Sequence, residues 1–246
     1  MGVLLSFPAW ADDVVAPSPL TSNISIVSDY VYRGLSRTNG FPAVQGGLDL
    51  AASNGFYIGT WGSNISWLAD QGGVKGSGLE LDAYVGVKNN FYTDFIYDFG
   101  YLRYHYPAVY SAGAVNADTD EIHGAVGYQW LTAKYSYSLG NTFGIGDSKG
   151  SHYLDISANY PFTDTGITLG AHYGKQIYQG AAADALKAAG MDPSYDDAKL
   201  NISYNMNGYV LGLAYSRTFK ISSYYINSAG NNLGRAKAIF SLNHTF

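Results

Sequence analysis

The residues Leu79-Glu80-Leu81-Asp82-Ala83-Tyr84-Val85-Gly86-Val87-Lys88 alternate without a break, aliphatic at every odd number and polar, aromatic or glycine at every even one. Successive side chains of a β-strand point to opposite faces, so these ten residues predict a strand with one apolar and one polar face. The pattern recurs. Leu154, Ile156, Ala158 and Tyr160 alternate with Tyr153, Asp155, Ser157 and Asn159, and Ala198, Leu200, Ile202, Tyr204 and Met206 alternate with Asp197, Lys199, Asn201, Ser203 and Asn205. Segments of about ten alternating residues separated by turns are the signature of a transmembrane β-barrel.

Extending this reading in both directions predicts strands at Ser22 to Tyr32, Phe41 to Ala51, Phe56 to Trp67, Gly78 to Lys88, Asp94 to Tyr106 and Glu121 to Trp130. Six more are predicted at Thr132 to Leu139, His152 to Tyr160, Gly166 to Gly174, Asp197 to Asn205, Tyr209 to Phe219 and Arg235 to Phe246. The total is twelve, an even number. In the fifth strand Phe95, Tyr97, Phe99 and Tyr101 share a phase that Arg103 and His105 then take over. A bulge near Gly100 is expected there, and the faces of that strand stay unassigned.

Composition agrees with a wall that does not meet water. Of 246 residues only 13% are charged, 47% are apolar and 15% aromatic, with a net charge of −5 and no cysteine. Soluble domains carry roughly 25% charged residues. The aromatic content excludes disorder, the lack of cysteine excludes a disulfide framework, and mild acidity argues against a nucleic-acid partner. No stretch approaches the ~20 apolar residues of a membrane-spanning helix.

Met1 to Ala11 ends in Ala9-Trp10-Ala11 before Asp12 and Asp13. Small residues at those positions fit a secretory cleavage site, so 1–11 is expected to be the remnant of a signal peptide, 12–21 a periplasmic segment and 22–246 the barrel. Links after even-numbered strands are short: Ala52 to Gly55, Asn89 to Thr93, a turn at Leu131, Pro161 to Thr165, and Met206 to Gly208. Links after odd-numbered strands are long, as in Ala108 to Asp120, Gly140 to Gly150, Lys175 to Asp196 and Lys220 to Gly234. Short periplasmic turns and long extracellular loops make this asymmetry, with both termini periplasmic. Ala181 to Ala189 is expected to form a short helix in the fifth long loop.

Aromatic girdles are expected where rings meet the two membrane interfaces: Tyr57, Tyr128, Trp130, Tyr160, Tyr204 and Tyr209 beside short turns, and Tyr30, Tyr32, Tyr173 and Tyr215 near long loops. The last strand places Phe240, Leu242 and the terminal Phe246 on one face. This resembles the C-terminal signal read by the barrel-assembly machinery, with His244 departing from it.

Ser28-Asp29-Tyr30-Val31-Tyr32-Arg33-Gly34-Leu35-Ser36, Pro42 to Asp49, Gly55 to Asn64, Glu80-Leu81-Asp82 and Tyr104-His105-Tyr106-Pro107 together resemble the TorF porin family, also called the Gcw-chp family. The resemblance runs from about Ser22 to Phe246. It implies an outer-membrane barrel of Gram-negative bacteria that conducts small solutes, and it brings no catalytic or ligand residues with it.

With the apolar phase on lipid, the polar phase lines a pore. Those positions are Asp29, Asp49, Glu80, Asp82, Glu121, Asp155 and Asp197 against Arg33, Lys134, Lys199 and Lys237, with His123 and His172. Seven acids against four bases predict a weak cation preference. The alternative is that these charges pair across strands and fill a narrow interior. Some outer-membrane barrels are hydrolases or acyltransferases; folding the sixth and seventh strands about Leu131 would set His123 opposite Ser138 with Glu121 alongside, the ingredients of an activated nucleophile. No motif surrounds them, and the reading is non-enzymatic. The acids Asp118-Thr119-Asp120-Glu121 and Asp192 to Asp197 read as solvated loops; they could hold calcium or bridge lipopolysaccharide through divalent cations, but no metal or cofactor is assigned.

The expectation is therefore an all-β, twelve-stranded antiparallel transmembrane barrel acting as a passive channel for small polar solutes or ions. Its partners would be outer-membrane lipid and lipopolysaccharide, the assembly machinery and the solutes themselves. A barrel enzyme, or a plugged barrel that binds or adheres through its loops, is the alternative.

Overall fold

The computed structural model describes residues 19–69, 74–76 and 78–246. The expected signal-peptide remnant 1–11 and most of 12–21 lie outside them. Twelve strands close into a barrel: β1 Leu20–Val27, β2 Ala43–Ala51, β3 Phe56–Asn64, β4 Leu79–Phe91, β5 Phe95–His105 and β6 Thr119–Tyr128, then β7 Leu131–Ser138, β8 His152–Phe162, β9 Ile167–Ile177, β10 Tyr195–Met206, β11 Tyr209–Phe219 and β12 Lys237–Thr245. Each pairs antiparallel with its neighbours in sequence, and β12 returns to β1. Closure joins the first and last strands from Asn23 opposite Thr245 to Val27 opposite Ser241, as a wall in hydrocarbon requires.

The alternation read from sequence is the alternation of exposure. Leu48, Ile58, Leu200 and Phe240 are each at least half exposed, at 50%, 56%, 63% and 62%. No Asp, Glu, Lys or Arg occupies the outward phase of a strand except near the long-loop end, where Arg103, Asp120, Lys175, Asp196 and Arg217 stand within three residues of their strand ends. An uncharged apolar belt of this kind is stable against lipid and unstable against water.

Every even-numbered strand is joined to the next by a tight turn. At Asn207 and Gly208 both φ angles are positive, 52° and 87°, the type I′ geometry that matches strand twist and suits Asn-Gly. Three turns fall elsewhere than expected. β8 runs on to Phe162, so the turn expected at Pro161 to Thr165 is 163–166. β4 runs on to Phe91, so its turn is 92–94, and the turn expected at Leu131 is Gln129-Trp130, with Leu131 already paired to Tyr128. Leu20 and Phe246 lie together at the short-turn end, where Phe246 N donates to Ser22 O at 2.8 Å. The fifth long loop carries the helix α1 Ala181–Ala188.

The fifth strand has no bulge. Its pairing with β4 and with β6 is continuous from Phe95 to Tyr104, so odd residues face outward throughout. Arg103 and His105 continue the aromatic phase because they lie at the long-loop rim, paired with Asp118 and Asp120. The inner wall contains close approaches of ring to backbone. Tyr57 lies over Gly86 and Gly100, where a Cβ would come 2.4 and 2.8 Å from its hydroxyl oxygen, and the Tyr84 ring lies 2.4 Å from where a Cβ of Gly59 would be.

The largest departure from expectation is at the first strand, which ends at Val27 and not at Tyr32. The chain then turns into the barrel as a small hairpin, Val31–Tyr32 paired with Leu35–Ser36. Arg33 and Gly34 form its tip, with φ of 45° and 76°. β3 likewise stops at Asn64, and Trp67 is 5% exposed beneath this hairpin.

Candidate functional site

Segment 28–42 crosses the lumen and is held on several walls. At its start Asp29 accepts from Ser36 Oγ at 2.5 Å and Thr38 Oγ1 at 3.0 Å, and its second oxygen is 3.3 Å from Lys237 Nζ on β12. Tyr30 donates to Glu80 on β4 at 2.9 Å. At the tip, Arg33 forks onto Glu121 of β6, Nη1 to Oε1 at 3.0 Å and Nη2 to Oε2 at 2.7 Å, and donates to Gln176 Oε1 of β9 at 2.9 Å. The bidentate fork combines charge with fixed geometry. Burial disfavours the charge of Arg33, but the Glu121 carboxylate together with the Tyr32 and Tyr104 hydroxyls outweighs it and holds the guanidinium above even its ordinary range. Gly34 presses on β10 and β11: a Cβ there would lie 2.4 Å from Asp197 Cβ and 2.5 Å from Thr218 Oγ1. Thr218 Oγ1 donates to Gly34 O at 2.8 Å.

Aromatic packing narrows the same level. Tyr30, Tyr32, Trp67, Tyr104, Tyr106 and Phe143 form one buried cluster. The Arg37 guanidinium lies 4.4 Å from the Trp67 ring centre and 4.8 Å from that of Phe143, a desolvated cation–π arrangement. Beside α1, burial pushes the hydroxyls of Tyr178 and Tyr225 up out of reach of ionisation. Tyr30 and Tyr32, expected in an outer girdle, are 5% and 7% exposed inside the barrel. Their neighbour Arg33 turns the chain inward and carries both rings with it. Tyr57 also faces inward, donating to Asp98 at 2.7 Å; it falls on the odd, lumen-facing phase of β3. Tyr128, Trp130, Tyr160, Tyr173, Tyr204, Tyr209 and Tyr215 are exposed on the outside, as are Phe240, Leu242 and Phe246.

Toward the short turns the lumen changes character. Lys88 faces Asp98, Lys134 faces Asp155, and Lys199 faces His172 across neighbouring strands. All are partly exposed. Among the described residues no ion pair within 4.0 Å forms at Lys88, Lys134 or Lys199. His172 bridges Asp155 and Asp197 at 3.0 Å each, and Tyr153 donates to Asp197 at 2.8 Å. Asp49 accepts from Tyr84 at 2.5 Å.

The thirteen inward positions read from sequence thus divide. Asp29, Arg33, Glu80, Asp82, Glu121, Asp197 and Lys237 meet at the hairpin, while Asp49, His123, Lys134, Asp155, His172 and Lys199 line the remainder. Three charged inward residues escaped the sequence reading. Asp98 sits on the strand whose faces were unassigned, Arg37 sits in the segment expected to be strand and loop, and Lys88 ends the polar phase of the opening stretch and belongs with them.

The nucleophile constellation does not form. The register sets Glu121, not His123, opposite Ser138, and His123 opposite Ser136, because the turn is one residue earlier than Leu131. Ser138 Oγ is 3.4 Å from Glu121, which Arg33 already engages, and His123 Nε2 is 3.4 Å from Asp98. A triad is recognised by its geometry and roles, and Ser138 and His123 are not partnered with each other. The loop acids are also engaged: Asp118 and Asp120 with Arg103, Asp192 with the Ser194 amide, Asp196 with Lys220. Among the described residues no group of three His, Asp or Glu is placed to hold a metal ion.

Comparison with solved structures finds the same architecture. The NanC porin superposes with a TM-score of 0.56 at 10% identity, covering 92% of this chain and 98% of that one. A chain solved in a study of the in-meso crystallization of membrane proteins gives 0.52 at 8% identity, covering 92% and 83%. The KdgM porin gives 0.49 at 7%, covering 92% and 97%. At such identities the likeness is one of fold. No curated protein sequence matches the chain. The sequence model of a family described as "Bacterial protein of unknown function (Gcw_chp)" matches residues 11–246, nearly the whole chain and all of the barrel, so this protein belongs to the Gcw_chp family.

Proposed function

We propose that the protein is an outer-membrane channel for small polar solutes and ions, its short turns and both chain ends periplasmic and its long loops outside. The observation that carries this reading is a closed wall, apolar outside and lined inside by alternating lysine and aspartate, narrowed by one hairpin. Polar, partly hydrated interiors are what porin barrels offer to solutes. The inward 28–42 segment sets the width, and the passage is therefore narrow.

A weak cation preference fits the distribution of charge. Near the short turns Asp49, Asp98 and Asp155 are matched by Lys88, Lys134 and Lys199. At the hairpin five carboxyl groups, Asp29, Glu80, Asp82, Glu121 and Asp197, stand against Arg33, Arg37 and Lys237. The formal excess of two resides in Glu80 and Asp82, which are buried with no ion pair formed among the described residues. Carboxylates at a constriction favour cations. Recording single channels in a planar bilayer under a potassium chloride gradient tests the proposal. Stepwise conductance with a cation-selective reversal potential is expected. Silence at every voltage, in the parent protein and in a variant lacking the hairpin, would overturn it in favour of a plugged barrel acting through its loops.

A further inference from the structure

The barrel wall is incomplete beside the hairpin. β1 and β12 pair only from Asn23 opposite Thr245 to Val27 opposite Ser241. Above that level β1 leaves for the lumen, while β12 continues along β11 to Lys237. Ser28 closes the joint, its amide donating to Phe240 O and its Oγ accepting from Phe240 N, both at 2.9 Å. Over this joint opens a cavity of about 330 Å³ whose lining includes Asp29, Ser36, Asn39, Arg235, Lys237 and Phe240.

Its chemistry is two-sided. Within it, Lys237 is neutralised by Asp29. Arg235 is exposed, its guanidinium 3.7 Å from where a Cβ of Gly40 would stand, and no ion pair within 4.0 Å forms at it among the described residues. The site therefore carries one net positive charge. Below, Ala238 and Phe240 belong to the outward apolar phase of β12, which continues to Leu242. Ala238 pairs with Tyr215, an outward aromatic residue, and Arg217 stands two residues further on β11. A cationic cleft at the height of an interfacial tyrosine, with an apolar path descending from it, matches an anionic headgroup on acyl chains.

We propose that this seam is a binding site for a phosphorylated glycolipid of the outer leaflet, with the phosphate on Arg235 and an acyl chain along Ala238, Phe240 and Leu242. The assignment rests on the orientation given above, which puts the long loops outside, but not on conduction. Detergent-purified full-length protein is titrated with bis-phosphorylated lipid A, with the same lipid A after phosphatase treatment, and with inorganic phosphate. Saturable binding of one lipid A per barrel is expected, at least tenfold tighter than the dephosphorylated lipid, with inorganic phosphate failing to compete at comparable concentration. Arg235→Glu, and more mildly Arg235→Gln, should weaken binding tenfold or more while leaving single-channel conductance and the thermal midpoint unchanged. Equal binding of the dephosphorylated lipid, equal binding by both variants, or equal affinity for free phosphate would each overturn the site. Lipid binding that survives in a protein without conductance would instead fault only the channel.

Discussion

At the long-loop end of the lumen the side chains of Arg33 and Glu121 are 6% and 2% exposed and locked by a fork of two hydrogen bonds. At the short-turn end Lys88 and Asp98 face each other across β4 and β5, partly exposed and with no ion pair between them, Asp98 meeting Tyr57 and His123 instead. The same kinds of residue serve two purposes. Where loop 28–42 removes water, the Arg33–Glu121 pair stands against a large desolvation cost, because an uncompensated buried ion costs several kcal/mol, about 3–5 when one partner is deleted. Glu80 and Asp82 are buried there with no ion pair formed among the described residues. Where side chains stay partly exposed, pairing is worth little, about 0–1 kcal/mol. In the proposed channel the first region would narrow the passage, and the second would be the field that ions cross.

Breaking the first region should have the largest consequences. Arg33→Ala leaves Glu121 buried and alone, so the unfolding free energy should drop by about 3–5 kcal/mol, read by thermal or denaturant unfolding in detergent. The freed hairpin should raise single-channel conductance severalfold. A destabilised variant of unchanged conductance would show that the hairpin is not the constriction. Next, Gly34→Val places a β-branched side chain at a positive φ and against Asp197 and Thr218. It should destabilise by about 1–3 kcal/mol and likewise widen the channel. Glu121→Gln sharpens the distinction between charge and fit: the side chain keeps its size, but its amide accepts only one of the two Arg33 hydrogen bonds and sets a donor against the other, and the cation preference carried by the outer carboxylates should decrease.

Some of this contrast was legible in residues and some was not. Leu79 to Lys88 and Ala198 to Met206 announce their faces because each has water or polar lumen on one side and lipid on the other, and period two is then compulsory. Turns at Asn54-Gly55 and Asn207-Gly208 were equally plain. Ser28 to Ser36 misled because its tyrosines fit a strand and a girdle locally. Only tertiary partners far along the chain, Glu80, Glu121, Gln176 and Asp197, draw it inward, and no local pattern reports them. Arg103 and His105 confused the fifth strand for a related reason: an outward charge is forbidden in the belt yet ordinary at the rim, and sequence alone does not mark where the belt stops. The Glu121–Ser138 register turned on whether the turn was Gln129-Trp130 or centred on Leu131, a shift that changes which side chains meet.

The second region should respond to smaller, purely electrical changes. Lys134→Glu or Lys199→Glu should shift the reversal potential toward cations and lower stability by about 1 kcal/mol, since each sets a second carboxylate beside Asp155. The smallest effect should come from salt. Raising potassium chloride from 0.1 to 1 M shortens the screening length from about 10 to about 3 Å. That should flatten the selectivity contributed near the short turns and leave the buried Arg33–Glu121 fork untouched. A selectivity that persists at high salt would assign it to the hairpin level instead.

The tyrosines laid over glycines in the inner wall bear on how such a tube acquires its calibre. With Gly86 and Gly100 beneath it, the ring of Tyr57 reclines along the sheet; with any larger residue there it would have to stand upright in the passage. Twelve strands fix the circumference of the cylinder, but the free bore is written in the positions that have no side chain at all. Exchanging Gly59, where the atoms nearest an added Cβ all belong to the Tyr84 ring, is thus a one-residue means of throttling the tube, whereas at Gly86 the added Cβ would also stand 2.6 Å from the Phe99 carbonyl oxygen and strain the wall itself.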